Sequence, residues 1–224
     1  LSTAAMMLKP FQERNKAIDK MGSILISAEI KDVETEQTIN TFNQYVVEAL
    51  IIDNNGDVVD SYTGEVMQES KAFGVDLKKE LYNKSKSESF ELPLYVVEKD
   101  GVKTYVIPMR GSGLWGPVYG NMALAEDMKT IVGVTFDHDG ETPGLGAEIT
   151  TPIFTDQFRG KKIFDEQGNF TSIKVVKGGA NSLPQSEQIH AVDAISGGTI
   201  TSNGVGDMIQ NVVESYEPFI QKQK

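Results

Sequence analysis

Hydroxyl-bearing residues and glycines are concentrated at 193–203, where the sequence reads Asp-Ala-Ile-Ser-Gly-Gly-Thr-Ile-Thr-Ser-Asn. Apolar residues follow at the spacing of one buried helical face, at Val205, Met208, Ile209, Val212, Val213, Tyr216, Phe219 and Ile220. Thr201 or Ser202 is the expected N-cap of this helix. The first turn of a helix stabilises an anion through its free N–H groups, and Gly197 and Gly198 let a phosphate approach the backbone. The segment predicts a phosphate site, with an ordinary capped turn as the alternative.

A second glycine-rich block, Glu-Thr-Pro-Gly-Leu-Gly, occupies residues 141–146. Pro143-Gly144 is a strong turn signal. The Thr142 side chain and the N–H groups of this loop offer hydrogen bonds to the edge of a planar ring. A plain Pro-Gly turn between a strand and a short helix is the alternative for this block alone.

Both blocks resemble FMN-binding domains whose flavin is covalently attached. Residues 193–199 are similar to the signature Asp-x-x-(Ser/Thr)-Gly-Ala-(Ser/Thr) of that family, with Gly198 in place of the usual Ala. The resemblance implies that Thr199 forms a phosphoester with the FMN phosphate, made by a separate flavin transferase. It also implies that the 141–146 loop lies against the flavin. The implied cofactor-binding residues are Thr199, Asp193, Ser196, Gly197, Gly198, Thr201, Ser202, Thr142, Gly144, Leu145 and Trp115.

Two further segments narrow the resemblance to one branch of the family. Residues 111–120 read Gly-Ser-Gly-Leu-Trp-Gly-Pro-Val-Tyr-Gly and look like a segment of the C-subunit family of sodium-translocating NADH:quinone reductases. The segment that begins at Leu8 resembles the region that follows the membrane anchor in that family. The homologous G subunit of the Rnf complex tends to lack the Leu-Trp pair. Trp115 is the single tryptophan, and contact with flavin or a partner and plain packing are equally open for it.

The resemblance implies an electron-carrying subunit that relays electrons through FMN between neighbouring subunits of a sodium-pumping complex. That complex oxidises NADH and reduces ubiquinone at the bacterial inner membrane, with this domain on the periplasmic side. The family's N-terminal transmembrane anchor is absent from this chain, which leaves a truncated or an anchorless homologue open. The alternatives are the Rnf G subunit and a non-redox periplasmic interaction domain that has lost the flavin.

Composition excludes several other classes of function. The 224 residues are 39% hydrophobic and 24% charged, as expected of one globular domain over 1–224. A net charge of −11 and the lack of a basic stripe argue against binding to nucleic acid or to an anionic membrane surface. The absence of cysteine excludes disulfides and Fe–S ligation. No apolar run approaches the roughly 20 residues that span a bilayer.

Catalytic motifs are also missing from the sequence. The two histidines, His138 and His190, lie in no recognisable nucleophile or metal motif. His138 lies between Asp137 and Asp139, but consecutive residues point in different directions, so a solvated turn is favoured over a metal site. No carboxylate pair is positioned for glycoside hydrolysis. No Gly-x-Gly-x-x-Gly motif follows a strand, so NADH binding is not expected. No metal is expected either, because the histidines and carboxylates form no ligand pattern.

The elements that position these residues follow from hydrophobic spacing and turn signals. Helices are expected at 11–31 and 33–42, with 1–32 as a helical segment that follows the missing anchor. Hairpins are expected at 45–62, 90–109 and 118–137, because turn residues separate alternating apolar runs. A short helix with a loop at 78–89, a short helix at 153–158, a strand at 171–177 and the C-terminal amphipathic helix complete the chain. This order predicts an α+β FMN-binding domain with a largely antiparallel, twisted sheet.

Overall fold

Helices occur at both ends of the chain and between its strands. The structure, a computed structural model, describes residues 3–223, so residues 1, 2 and 224 of the predicted segments lie outside it. Its α-helices are α1 (Thr3–Ser27), α2 (Thr38–Tyr45), α3 (Leu77–Ser85), α4 (Pro152–Thr155), α5 (Gln185–Gln188), α6 (Thr199–Val213) and α7 (Glu217–Lys222). None of the helices in this range is long and apolar enough to cross a membrane.

The strands form one large antiparallel sheet and one small parallel pair. The large sheet contains β1 (Val46–Asp53), β2 (Val58–Tyr62), β3 (Glu91–Lys99), β4 (Val102–Ser112), β5 (Pro117–Leu124) and β6 (Ile131–His138). Their order is β2-β1-β3-β4-β5-β6. The small pair is β7 (Lys174–Val176) with β8 (Ala191–Asp193). The predicted α+β fold with an antiparallel sheet is confirmed.

The three predicted hairpins are present because their turn residues adopt left-handed conformations. Gly56 has φ +78° between β1 and β2, and Asp100 and Gly101 have φ +52° and +77° between β3 and β4. Two successive positive φ values match the twist of the flanking strands. Met128, with φ +52°, completes the turn between β5 and β6. Local turn chemistry therefore fixes the register of most of the sheet.

A separate hydrophobic core covers each face of the sheet. Neighbouring residues of β1 alternate between them: Leu50 and Ile52 pack on the side of α6, whereas Ala49 and Ile51 pack on the side of α1 and α2. This alternation is the period of two of a β-strand. Burial of each large aliphatic side chain contributes roughly 1.5–3 kcal/mol. The sheet thus anchors α6, the helix that carries the predicted attachment residue.

The N-terminal helices differ in length from the prediction. α1 already includes residue 3 and ends at Ser27, where the chain turns through Glu29 and Asp32 with φ +64° and +58°. The prediction of 11–31 began too late because Leu8 is exposed and gives no signal of a buried helical face. Residues 35–37 form a 3₁₀ turn, and α2 begins at Thr38 rather than at 33.

The region after the Pro-Gly loop is more broken than predicted. The expected helix at 153–158 is divided between α4 and a 3₁₀ turn at Asp156–Phe158. The expected strand at 171–177 shortens to β7, which pairs in parallel with β8, a strand that the sequence did not predict. The C-terminal helix is interrupted by a 3₁₀ turn at Glu214–Tyr216, and α7 restarts with Pro218 in its first turn.

Candidate functional site

The predicted attachment segment forms the turn that connects β8 to α6. β8 ends at Asp193, the turn includes Gly197 with φ +76°, and α6 begins at Thr199. Thr199 is thus the first helical residue and is partly exposed. The structure places the attachment residue predicted from the sequence at the N-terminus of a well-anchored helix.

The predicted N-cap is wrong. Gly198 occupies the N-cap position, and Thr201 and Ser202 are buried inside the first turn. The Ser202 hydroxyl donates to the Gly198 carbonyl at 2.8 Å and accepts the Ile195 N–H at 3.0 Å, so it closes the preceding turn. Side-chain hydroxyls were expected at the cap because that is their commonest place, but tertiary partners draw both inward.

The helix N-terminus is left without a side-chain cap, which suits an anion. Gly198 has no side chain to accept an N–H, and within the described residues no hydrogen bond is made by the N–H groups of Thr199, Ile200 or Thr201. Such groups, together with the helix dipole, favour a negative charge. A phosphate on the Thr199 hydroxyl would meet these donors directly.

The 141–146 loop packs against the attachment turn through backbone and glycine. Its turn is as predicted: Leu145 N–H donates to the Thr142 carbonyl at 3.1 Å, and Gly144 has φ +76°. A Cβ on Gly197 would lie 2.6 Å from Leu145 Cδ2, and one on Gly198 would lie 2.8 Å from the Leu145 carbonyl oxygen. Gly197 therefore suits this turn through its positive φ, and a side chain at position 198 would need the Leu145 backbone to shift.

Trp115 lies on the short connection between β4 and β5 and does not pack in either core. Its side chain is 69% exposed, and the adjacent Leu114 is 46% exposed. The connection is closed by a hydrogen bond from Gly113 N–H to the Gly116 carbonyl at 2.7 Å. Of the two interpretations left open for Trp115, plain packing is therefore wrong within this fold, and the exposed ring is available for contact.

Glu141 joins the three segments and was missing from the predicted site residues. It is buried, and its Oε1 accepts the Trp115 N–H at 2.9 Å while its Oε2 accepts the Thr201 hydroxyl at 2.6 Å. A Cβ on Gly113 or on Gly146 would lie 2.4 Å from the same carboxylate. These partners are 26 and 60 residues distant in the chain, so no local pattern signals the role of Glu141.

The environment of Glu141 favours its ionised form. Desolvation raises its pKa, but hydrogen bonds from the Thr201 hydroxyl and from the N–H groups of Trp115 and Leu114 outweigh that effect. The net result is a pKa below the usual value for Glu. A buried carboxylate therefore links the loop that carries Trp115 to the first turn of α6.

Asp193, the last residue of β8, is hydrogen-bonded to two segments outside the attachment turn. Its Oδ1 accepts the Ala180 N–H at 2.7 Å, and its own N–H donates to Gln157 Oε1 at 2.7 Å. Ser196 and Gly197 are exposed on the turn itself. These two hydrogen bonds fix the start of the turn that leads to Thr199.

The residues present fit FMN at an open surface. The uncapped start of α6 suits the phosphate, and the exposed side chains of Trp115 and Leu145 supply apolar surface for the ring. A cleft of about 630 Å³ between α1 and β6 is lined by none of the predicted site residues. His138 Nδ1 accepts the Glu141 N–H. Among the described residues, no group of acidic, His or Cys side chains is arranged to hold a metal ion.

Comparison with known proteins gives consistent matches. The model of a family described as the FMN-binding domain matches residues 113–214. The C subunit of Na(+)-translocating NADH-quinone reductase from Vibrio campbellii is 34% identical, and the match spans 99% of this chain and 88% of the relative. The corresponding protein of Neisseria meningitidis serogroup B is also 34% identical, and that match spans 99% and 86%.

Solved structures agree with these relatives. The crystal structure of the C subunit from Parabacteroides distasonis superimposes with a TM-score of 0.81 at 36% identity, covering 97% of this chain and 98% of that one. The Shewanella oneidensis structure gives a TM-score of 0.71 at 28% identity, covering 93% and 98%. The residues matched by the family model, 113–214, include both Trp115 and the turn before Thr199. The chain therefore belongs to the C-subunit family of Na(+)-translocating NADH-quinone reductase.

Proposed function

We propose that this chain is the electron-carrying flavoprotein subunit of a sodium-pumping NADH:ubiquinone reductase and holds FMN through a phosphoester to Thr199. The observation that carries the proposal is the start of α6, where Thr199 is the first helical residue and the neighbouring N–H groups have no partner in the described chain. Family membership supports FMN as the group that this site takes. The attachment to Thr199 is the specific step proposed.

Each part of the site has a separate task. The first turn of α6 binds the phosphate through backbone N–H groups, which needs no Lys or Arg. The covalent bond to Thr199 prevents dissociation into a dilute compartment. Thr142, Leu145 and Trp115 orient the ring, and Leu145 also holds Gly197 in place. Bound FMN would supply the redox chemistry, while the chain supplies attachment, orientation and electrostatics.

The proposed setting is the periplasmic side of a bacterial inner membrane, in contact with other subunits of the complex. A flavin transferase carries out the maturation. The chain itself binds neither NADH nor quinone, because it carries no dinucleotide-binding motif. Electrons therefore enter and leave through neighbouring subunits, for which the exposed ring of Trp115 marks the accessible side of the site.

The test is covalent flavin attachment in vivo. The chain is exported to the periplasm together with a flavin transferase, and the product is run on a denaturing gel under ultraviolet light. We expect a fluorescent band for the original chain and for Thr199→Ser, and none for Thr199→Val. Ser186→Ala is the matched control, because it removes an exposed hydroxyl outside the 193–199 signature and leaves Thr199 intact, so its band should remain.

Two results would overturn the proposal. A band that persists in Thr199→Val would move the attachment to another residue. A chain that never acquires a band, although a known acceptor is labelled in the same cells, would favour the non-redox interaction domain. The Rnf G subunit shares this chemistry, and it is disfavoured by the Leu114-Trp115 pair and by relatives of the sodium-translocating reductase that match 99% of the chain.

A further inference from the structure

We infer that Glu141 is the positioning residue of the flavin site, whose ionised carboxylate holds the Trp115 loop against the attachment helix. The inference rests on the proposed function for its connection with flavin. Glu141 itself touches no open surface, because it is buried and both of its oxygens are engaged by the chain. It acts through Trp115 and Thr201 rather than on the cofactor.

The geometry shows that the carboxylate is the link between these segments. The Trp115 loop is exposed on its outer side, and its backbone is tied inward by N–H groups that bond to Glu141. On the other side, the same carboxylate bonds to Thr201, two residues after the predicted attachment residue. One carboxylate group therefore fixes the distance between the ring contact at Trp115 and the anchor at Thr199.

The glycines around Glu141 leave the space that its carboxylate occupies. Gly113 precedes the Trp115 loop and Gly146 ends the Pro-Gly loop, and a side chain at either position would lie 2.4 Å from a carboxylate oxygen. A shorter or neutral residue at 141 would leave buried donors from two segments without a charged acceptor. Hydrogen bonds to an ionised acceptor are about twice as strong as those between neutral groups, so charge is central to this role.

Few other charges compete at this position. His138 is on the same turn and accepts the Glu141 N–H at Nδ1, and Asp139 accepts the Tyr119 hydroxyl at 3.1 Å. The 112–116 loop and the first turn of α6 (199–202) carry no charged side chain. Protonation of Glu141 weakens the acceptor of the Trp115 N–H itself, whereas protonation of His138 removes only the acceptor of the Glu141 N–H.

The test is amide hydrogen exchange of the flavin-free chain, followed at the Leu114 and Trp115 N–H groups. Glu141→Gln keeps the shape and removes the charge, so we expect exchange at these two groups to become about tenfold faster or more, with the sheet unchanged. Glu148→Gln is the matched control. Its Oε1 accepts only the Gly144 N–H in the same loop, so Trp115 should exchange as in the original chain.

The pH profile separates positioning from simple packing. After correction for intrinsic exchange, the original chain should lose protection at Trp115 on acidification, and Glu141→Gln should show a smaller loss over the pH range in which carboxylates titrate. Any loss that both proteins share reports on His138, whose Nδ1 accepts the N–H of residue 141. If Glu141→Gln does not fold, Thr201→Val decides the question. It removes only the donor on α6 and should speed exchange at Trp115 severalfold.

Unchanged exchange at Trp115 in Glu141→Gln, or in Thr201→Val where that variant decides, would refute the inference, as would an equal increase throughout the sheet. The outcome is independent of the test on Thr199. If Trp115 responds as expected and no flavin band forms, the proposed function fails and the positioning role stands. If a normal flavin band forms and exchange at Trp115 does not change in Glu141→Gln, the proposed function stands and the positioning role fails.

Discussion

Gly146→Ala should destabilise the chain strongly. A Cβ at Gly146 would lie 2.4 Å from Glu141 Oε2 and 2.4 Å from the Thr201 hydroxyl oxygen, which are the two atoms of one buried hydrogen bond. At least one of these two oxygen atoms must therefore move. Loss of a hydrogen bond to a charged group costs roughly 1.5–3 kcal/mol, and overpacking adds about 1–3 kcal/mol.

We therefore expect a loss of about 2.5–6 kcal/mol in the free energy of unfolding. For a domain of this size, each 1 kcal/mol lowers Tm by roughly 2–4 °C. Urea unfolding followed by circular dichroism measures this loss. The slope of the free energy of unfolding against urea concentration should stay the same. The hydrogen bonds that Glu141 accepts from the Thr201 hydroxyl and the Trp115 N–H would also weaken. Flavin attachment at Thr199 should therefore slow as well.

Two neighbouring glycines provide graded controls. A Cβ on Gly140 meets only the Trp115 carbonyl oxygen at 4.0 Å, so Gly140→Ala should change stability by less than about 0.5 kcal/mol. Gly144 has open space but φ +76°, so Gly144→Ala should cost about 1–2 kcal/mol through backbone strain. If Gly146→Ala is no more destabilising than Gly140→Ala, the contact between Gly146 and Glu141 does not constrain the site.

Three other variants test the framework around the site. Tyr216→Phe should cost roughly 1–3 kcal/mol, measured by urea unfolding, because the buried hydroxyl donates to the Pro93 carbonyl at 2.6 Å; a neutral result would contradict that bond. Burial lowers the pKa of Lys20 to about 8, so between that pH and the unfolded value near 10.4 the unfolded chain binds more protons and stability rises with pH. Lys20→Met should lose this rise, and the gap between the two proteins should differ at pH 7 and pH 9.5; a constant gap argues against a depressed pKa. Arg159→Gln removes an exposed pair with Glu29 at 2.8 Å and should cost less than about 1 kcal/mol, with no effect in high salt; a larger loss would show that Arg159 has a further role.

Much of the fold was predictable because it depends on local signals. The hairpins follow from Asn55-Gly56 and from the turn at Asp100-Gly101, whose positive φ values sequence alone indicates. The short β7–β8 pair was missed because three residues give no periodicity, and its partners lie at Lys174–Val176 and Ala191–Asp193. Parallel pairing of such distant segments depends on tertiary packing.

The sequence by itself determined the kind of site. Hydroxyls and glycines before an amphipathic helix indicate a phosphate, and the motifs around Thr199, Gly144 and Trp115 indicate the family. Those signals are local, since capping, turns and backbone access depend on neighbouring residues. Only the tertiary structure decided how the segments of the site meet. Thr201 bonds to Glu141 instead of capping the helix, and Trp115 is exposed rather than buried. The reason is that a buried carboxylate needs hydrogen-bond donors, and the donors to Glu141 belong to segments that are far apart in the chain.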